Sequence, residues 1–195
     1  HRYPLGGKLY VFNKNENIGF IKGHMCSPAI ATQAEDLIAG GVKELIHVGY
    51  AGGLQPELVP GEIILTDGAF NDTAVARLYG YDYDIIHSSK DLTNEMESMI
   101  TSAEIPYKRG IHWTTDAGYR ETWGQVMDYR DKGALCVEME GVGLFTIANY
   151  RKCVATGIYV VSDVYLEDDW KLGWEGNDIK KAVGEIIDMI IKSIR

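Results

Sequence analysis

Cys136-Val137-Glu138-Met139-Glu140-Gly141 and, further on, Val160-Val161-Ser162-Asp163 are the two stretches from which the rest of the chain is read. Each is an apolar, strand-like run that ends in a carboxylate. Glu140 to Tyr150 has the spacing of a helix, and Cys153 to Val161 that of the next strand. Strand, helix and strand in alternation point to an α/β layer structure. Two acids at two strand ends can stand on either side of one small substrate. That arrangement suits breaking an acetal-like C–N or C–O bond, where positive charge builds on a sugar and the leaving group needs a proton. Each acid also has a plain structural reading. Glu140 opens a helix, where the dipole favours a carboxylate, and Asp163 is placed to cap or turn the chain.

The alternation extends outward in both directions. Lys8 to Phe12 and Ile18 to Lys22 read as a hairpin, with Asn13 to Asn17 as its turn. Ser27-Pro28 starts a helix: a Ser cap, then Pro where its missing N–H costs nothing. Ile30, Ala34, Leu37 and Ile38 follow at helical spacing, and Gly40-Gly41 stops them. Glu44 to Val48 is a short buried strand that runs into a glycine-rich loop, Val48-Gly49-Tyr50-Ala51-Gly52-Gly53-Leu54. Further strands are expected over Glu62 to Thr66, Arg109 to Thr114 and Ala134 to Met139, and helices over Asp91 to Ala103 and Glu121 to Lys132. The last helix carries one apolar stripe of Ile179, Val183, Ile186, Ile187, Ile190 and Ile194. Asn71 to Ser89 and Tyr165 to Asn177 read as long loops, the segments with which α/β folds bind ligands.

The bulk properties narrow the field. A chain of 195 residues, 46% hydrophobic and 24% charged, fits one globular domain over residues 1–195. Its net charge of -9 and pI of about 5.0 disfavour a nucleic-acid partner, while leaving room for a small anion in a local pocket. Cys26, Cys136 and Cys153 form no C-x-x-C pair, so neither a metal site nor a disulfide framework is expected, and a reducing cytoplasm fits best. No run approaches the length of a membrane span, and the opening His1-Arg2-Tyr3-Pro4 has no signal-peptide character.

Two more segments carry chemistry. Gly49, Gly52 and Gly53 allow a sharp turn and close approach to a ligand, although their spacing matches neither the dinucleotide fingerprint nor a Walker loop, and a plain tight turn explains them equally well. Trp113-Thr114-Thr115-Asp116-Ala117-Gly118-Tyr119-Arg120-Glu121 gathers hydroxyls, an acid, a phenol and a guanidinium at one strand-to-helix junction. Thr115 or Asp116 would also serve as a helix cap, and Arg120 as one half of a surface ion pair of little worth.

Taken in order, the glycine loop, Val137-Glu138-Met139-Glu140 and Val161-Ser162-Asp163 resemble the nucleoside phosphorylase family, which holds purine nucleoside phosphorylases, uridine phosphorylases and nucleosidases. Gly23-His24-Met25 with Ser27-Pro28, and Val42 to Leu54, are similar to that family's first helix and phosphate-side strand and loop. The likeness runs from about Lys8 to the C-terminus. It implies a single three-layer α/β domain, a mixed and partly closed central sheet flanked by helices. It implies cleavage of the N-glycosidic bond of a nucleoside, most simply by phosphorolysis, with inorganic phosphate as co-substrate and no other cofactor. The alternatives are a hydrolytic nucleosidase or a non-catalytic nucleoside-binding protein.

Carried over by motif, Glu140 would bind the ribose hydroxyls, with Met139 and Glu138 beside the sugar. Ala51, Gly52, Gly118, Tyr119 and Ser162 would line the base. Asp163 would protonate N7 of a departing purine, a task for which a buried acid is suited. His47, Tyr50, Thr114 and Arg120 would lie on the nucleophile side. An Asp at position 163 favours purines, since pyrimidine-specific members place an Arg in this region. The resemblance also implies a homo-oligomer, a dimer or a trimer of dimers. The chain departs from the family at His47 and Tyr50, where phosphorylases carry Arg and Ser or Thr, and at Gly118, where a stacking aromatic is usual. The family's opening strand, with its Gly-Asp-Pro phosphate loop, finds no counterpart in this sequence. A neutral imidazole holds phosphate less firmly than a bidentate guanidinium.

Overall fold

The apolar runs pair into one mixed sheet in the structure, a computed structural model that describes residues 8–13, 15–166, 170–173 and 176–193. In chain order the main elements are β1 (Tyr10–Phe12), β2 (Asn15–Phe20), α1 (Ser27–Ala39), β3 (Glu44–Gly53), β4 (Ile63–Asp72), α2 (Val75–Leu78) and β5 (Ile85–His87). Then come α3 (Lys90–Ser102), β6 (Lys108–Thr115), a 3-10 turn (Gly118–Arg120), α4 (Trp123–Asp131), β7 (Cys136–Glu138), α5 (Gly141–Arg151), β8 (Val154–Tyr165), β9 (Trp170–Leu172) and α6 (Asn177–Ser193). β1 and β2 form a separate antiparallel pair.

The main sheet runs β5-β4-β6-β7-β3-β8-β9, and β4 pairs with β8 as well. That second pairing, Ile63 with Val160 through Leu65 with Ile158, closes β4, β6, β7, β3 and β8 into a ring. The strands alternate as a closed sheet requires. On β8, Ile158 and Val160 pack outward with α3 and α6, in a cluster with Leu92, Met96, Ile100, Ile179, Ile186 and Ile190. Tyr159 and Val161 turn inward and meet Ala51, Ile64 and Cys136 from three other ring strands. A further cluster joins α1, α2 and α5 on another side. The expected three-layer α/β arrangement, helices flanking a mixed sheet, is therefore present, and the sheet is closed over five strands.

Helix α5 is buried over its first eight residues, Gly141 to Ala148, which explains a sequence apolar on every face. It crosses α1 closely because Gly143 has no side chain. A Cβ there would lie 2.5 Å from the Ser27 carbonyl oxygen and 2.9 Å from Ser27 Cα, both backbone atoms. Ser27 in turn donates from Oγ to the Met139 carbonyl at 3.0 Å, so this contact seats the loop ahead of α1 on the acid-bearing segment.

Several elements differ from their sequence reading. The glycine-rich run Val48 to Leu54 is strand through Gly53, since pairing with β8 continues as far as Gly53 opposite Val164 and satisfies its backbone. Asn71 to Ser89 holds the end of β4, α2 and β5. The helix expected from Glu121 starts at Trp123, because Thr122 accepts from Gln125 N and completes a capping box with the Gln125 side chain. Asp116 accepts instead from Ala74 N, at 3.0 Å. The second hairpin strand lies over 15–20, upstream of its expected place. Within the expected loop from Tyr165 to Asn177, β9 pairs antiparallel with β8, while residues 167–169 and 174–175 lie outside the described residues, as does Ile194. Ile187 stands at the exposed edge of the α6 stripe.

Gly143→Ala is expected to destabilise the protein by about 1–3 kcal/mol, the usual cost of forcing a methyl into a packed contact. Gly184→Ala on α6, where a Cβ meets open space, should be neutral or stabilising by up to about 1 kcal/mol. Denaturant midpoints of the two variants would check the contrast; equal midpoints would rule out the α1–α5 contact as a packing constraint.

Candidate active site

The acids are brought together at one mouth of the ring because the last residues of β3 pair with β7, antiparallel, on one side and with β8, parallel, on the other, while β6 pairs with β7 beyond. Gly52 pairs on one side with Val137 of β7 and on the other with Asp163 of β8. Trp113 and Thr114 of β6 pair with Val137 and Glu138. The ladder between β3 and β8 skips Ser162: Ala51 faces Val161 and Gly52 faces Asp163. This bulge re-aims the residues after it, as bulges beside functional sites commonly do. It leaves Ser162 donating from Oγ to Asp163 Oδ1 at 2.5 Å, 3.2 Å from the Ala51 carbonyl. Asp163 itself is 4% exposed. A Cβ on Gly52 would come within 3.3 Å of Asp163 Oδ2, 3.3 Å of Val137 Cγ1 and 3.0 Å of Tyr165 Cε2, so only glycine leaves that floor open.

Glu138 and Glu140, two residues apart, have opposite surroundings. Glu138 is buried inside the ring. Its carboxylate accepts from Glu140 N at 2.7 Å, from Gly141 N at 2.8 and 3.0 Å, from Thr114 Oγ1 at 2.5 Å and from His112 Nε2 at 2.9 Å. Burial opposes its charge, but the His112 imidazole and the Thr114 hydroxyl outweigh burial and hold Glu138 below the ordinary carboxylate range. It is Glu138, therefore, that satisfies the free N–H groups at the start of α5. Glu140 is released from that duty. Its side chain makes no cap bond and turns instead to the loop ahead of α1, where Oε1 accepts from Cys26 N at 2.7 Å. Burial and the charge of Glu138 push Glu140 up to about 7.

A continuous wall joins Glu140 to Asp163. Met139 Sδ would lie 3.9 Å from a Cβ on Gly118, and Glu121 Oε1 3.4 Å from it. Glu121 Oε2 accepts from Tyr165 OH at 2.6 Å, and the Tyr165 ring covers Gly52 beside Asp163. Burial raises Glu121, and the Asp163 charge adds to this against the hydrogen bond from Tyr165. Arg130 on α4 fastens the rim, donating to the Leu54 carbonyl at 2.5 Å and the Tyr165 carbonyl at 2.6 Å.

The remaining residues singled out in the sequence divide. Ala51, Gly52, Ser162, Asp163, Glu138, Met139, Glu140 and Gly118 line or underlie this mouth. Thr114 is there too, but its hydroxyl donates to Glu138 and accepts from Val142 N. His47 points toward the ring interior, its Nδ1 3.4 Å from Tyr159 OH, and burial pushes its imidazole toward the neutral form. Tyr50, an odd number of strand residues away, lies on the opposite face of β3 and is 47% exposed. Tyr119 and Arg120 sit on the 3-10 turn and are both exposed. Sequence reasoning missed His112, Cys26, Glu121 and Tyr165. The period-two spacing of His112 and Thr114 on one strand face was the available signal for the first. Among the described residues no group of three or more His, Cys, Asp or Glu is placed to hold a metal ion, and no helix is long and apolar enough to cross a membrane.

Comparison with known proteins gives one family. Residues 2–192 match the profile of the Phosphorylase superfamily. The chain is 32% identical over 139 residues to a purine nucleoside phosphorylase DeoD-type of Exiguobacterium sibiricum, covering 70% of this chain and 59% of that protein. It is 33% identical over 156 residues to the protein of that name from Caldanaerobacter subterraneus subsp. tengcongensis, with 74% and 67% covered. For that of Bacillus cereus the figures are 31% over 138 residues, with 70% and 59% covered. The chain thus spans about three fifths to two thirds of the length of these relatives.

The raised Glu140 has a consequence for stability. Its folded value of about 7 lies above the ordinary 4.5, so the folded state keeps a proton that the unfolded chain gives up. The group therefore weakens the fold progressively as pH rises from about 4.5 to about 7, by about 1–3 kcal/mol once the partial exposure of Glu140 is allowed for. Glu140→Gln, which keeps an acceptor for Cys26 N, should melt higher than the wild type at pH 8 and equally at pH 4. Calorimetry at the two pH values checks this; a gain that did not grow with pH would refute it.

Proposed function

The chain belongs to the phosphorylase superfamily, and from that premise we propose that it cleaves the N-glycosidic bond of a purine-type nucleoside by transferring the ribosyl group to phosphate. The observation that carries this reading is the pair of unlike acids at one mouth, Glu140 and Asp163. In this reading the sugar lies over Met139 with its hydroxyls donating to Glu140. That carboxylate still has acceptor capacity beyond its bond from Cys26 N. The base lies along Ala51 and Gly52 toward Asp163.

As the C1′–N9 bond breaks, its electron pair goes to the base, and positive charge spreads over C1′ and the ring oxygen. The ionised Glu140 stabilises that charge, and Asp163 gives a proton to N7 so that the base departs neutral. A phosphate oxygen forms the new bond to C1′, and Asp163 recovers a proton from solvent. Ser162, donating to Asp163 Oδ1, fixes which carboxyl oxygen faces the base. No cofactor is needed beyond phosphate. The setting we propose is a homo-oligomer in a reducing cytoplasm, with no nucleic acid and no membrane as partner.

A hydrolytic version is favoured by one observation. Burial pushes the His47 imidazole toward its neutral form, and a neutral imidazole is a poorer anion holder than the guanidinium expected at that position of a phosphorylase. Base release from a panel of purine and pyrimidine nucleosides, with and without phosphate, separates the two. Phosphate-dependent release of purines, with ribose 1-phosphate as the sugar product, is the expected result, and free ribose would select the hydrolytic version. Asp163→Asn and Glu140→Ala should each lower kcat/KM by about 10²–10⁴. Unchanged rates in both folded variants, or no base release by the wild type, would overturn the reading.

A further inference from the structure

We propose that His112 is a positioning residue for Glu140: through Glu138 it sets the place of the carboxylate that grips the sugar. The inference rests on the proposed nucleoside reading of the site. His112 touches no surface of the mouth. It lies inside the ring, and in its pair with Glu138 the two side chains are 0% and 1% exposed. Four other groups hold its ring. Thr66 Oγ1 lies 2.6 Å from Nδ1, and Thr66 is itself bonded to both Gly68 O and Gly68 N. The Tyr159 and Phe145 rings stand with centroids 4.9 and 6.2 Å away. The fourth contact is with backbone. A Cβ on Gly141 would come 2.5 Å from His112 Nε2, so the imidazole is packed directly on the first residue of α5.

The chain of command is short. Every other donor to the Glu138 carboxylate is a backbone N–H or a neutral hydroxyl; His112 alone among them can carry a charge. A carboxylate this deep without such a partner would take up a proton or draw the backbone toward other donors. Glu138 Oε2 holds the N–H of Glu140 itself. The Glu140 carboxylate is tied at its far end to Cys26 N. A displacement at residues 138–141 therefore shifts the Glu140 carboxylate together with its bond to Cys26 N. The Asp163 side chain is aimed separately, by the Ser162 bulge and Gly52, and its strand meets His112 only further back, at the Tyr159 ring.

This division supplies a test that a merely structural contact would fail. The substrates are a purine ribonucleoside and its 2′,3′-dideoxy analogue, which offers Glu140 no hydroxyl. In His112→Leu, kcat/KM for the ribonucleoside should fall by about 10-fold or more, chiefly in KM, while the dideoxy analogue changes less than about twofold. His112→Gln, whose amide can still donate to Glu138, should recover most of the difference. Should His112→Leu fail to fold, Thr66→Val keeps the His112–Glu138 contact while removing the Thr66 hydroxyl from the His112 ring and from Gly68; it should show the same sugar-selective loss at about threefold. Parallel losses on both substrates, or unchanged discrimination in folded variants, overturn the inference while the nucleoside reading stands. A wild type without turnover, or without preference for the ribonucleoside, removes that reading and the inference together.

Discussion

A carboxylate buried inside a closed ring of strands is the constraint on which the site depends. Glu138 stands away from water, and an ion so placed is tolerated only with enough well-aimed donors. Those donors come from two directions. His112 and Thr114 project from β6, and the N–H groups of Glu140 and Gly141 open α5. One side chain thereby fixes β6, β7 and α5 to each other. The geometry of the neighbouring segment follows: Gly141 must be glycine because His112 occupies the space of its Cβ. Ser27 and Cys26 bind Met139 and Glu140, which draws the loop ahead of α1 over the mouth.

The same arrangement makes the two glutamates unlike. Glu138 receives nearly every donor in reach and is held charged. Glu140 receives little beyond the Cys26 N–H, sits in the field of Glu138 and is left with a raised proton affinity. A group that lowers the stability of its own fold at neutral pH is the kind of feature retained at functional sites. Asp163 has an independent foundation. It is aimed by the Ser162 bulge on β8 and floored by Gly52. The sugar side and the base side of the mouth therefore rest on different elements, β7 and α5 for one, β3 and β8 for the other.

Much of this was legible along the chain. The apolar runs before Glu138 and Asp163 are strands, the run after Glu140 is a helix, and α1 starts at Ser27-Pro28, because these signals are local and periodic; the cap position falls to Cys26, and Ser27 Oγ bonds Met139 O instead of capping. Val48 to Leu54 was misread for a physical reason. Glycine breaks a strand only where its backbone lacks partners, and here β8 supplies them as far as Gly53. The helix cap assigned to Thr115 or Asp116 falls to Thr122, since the 3-10 turn at Gly118–Arg120 carries the chain outward first. That turn also takes Tyr119 and Arg120 into solvent. Spacing alone does not reveal such a detour.

By itself the sequence determined the α/β class and the order of most of the elements, since periodicity and composition are properties of neighbours along the chain; Asp163, expected just past a strand, stands inside β8, which runs on to Tyr165 beside β9. The sequence also carried the motif order that marks the family. Only the tertiary structure decided that β4 meets β8 and closes the ring, that Glu138 and not Glu140 caps α5, and that a histidine 26 residues away is the partner that holds Glu138 in place. These depend on which distant side chains share a space without water. There the energy of one buried charge is set by groups that the sequence lists far apart.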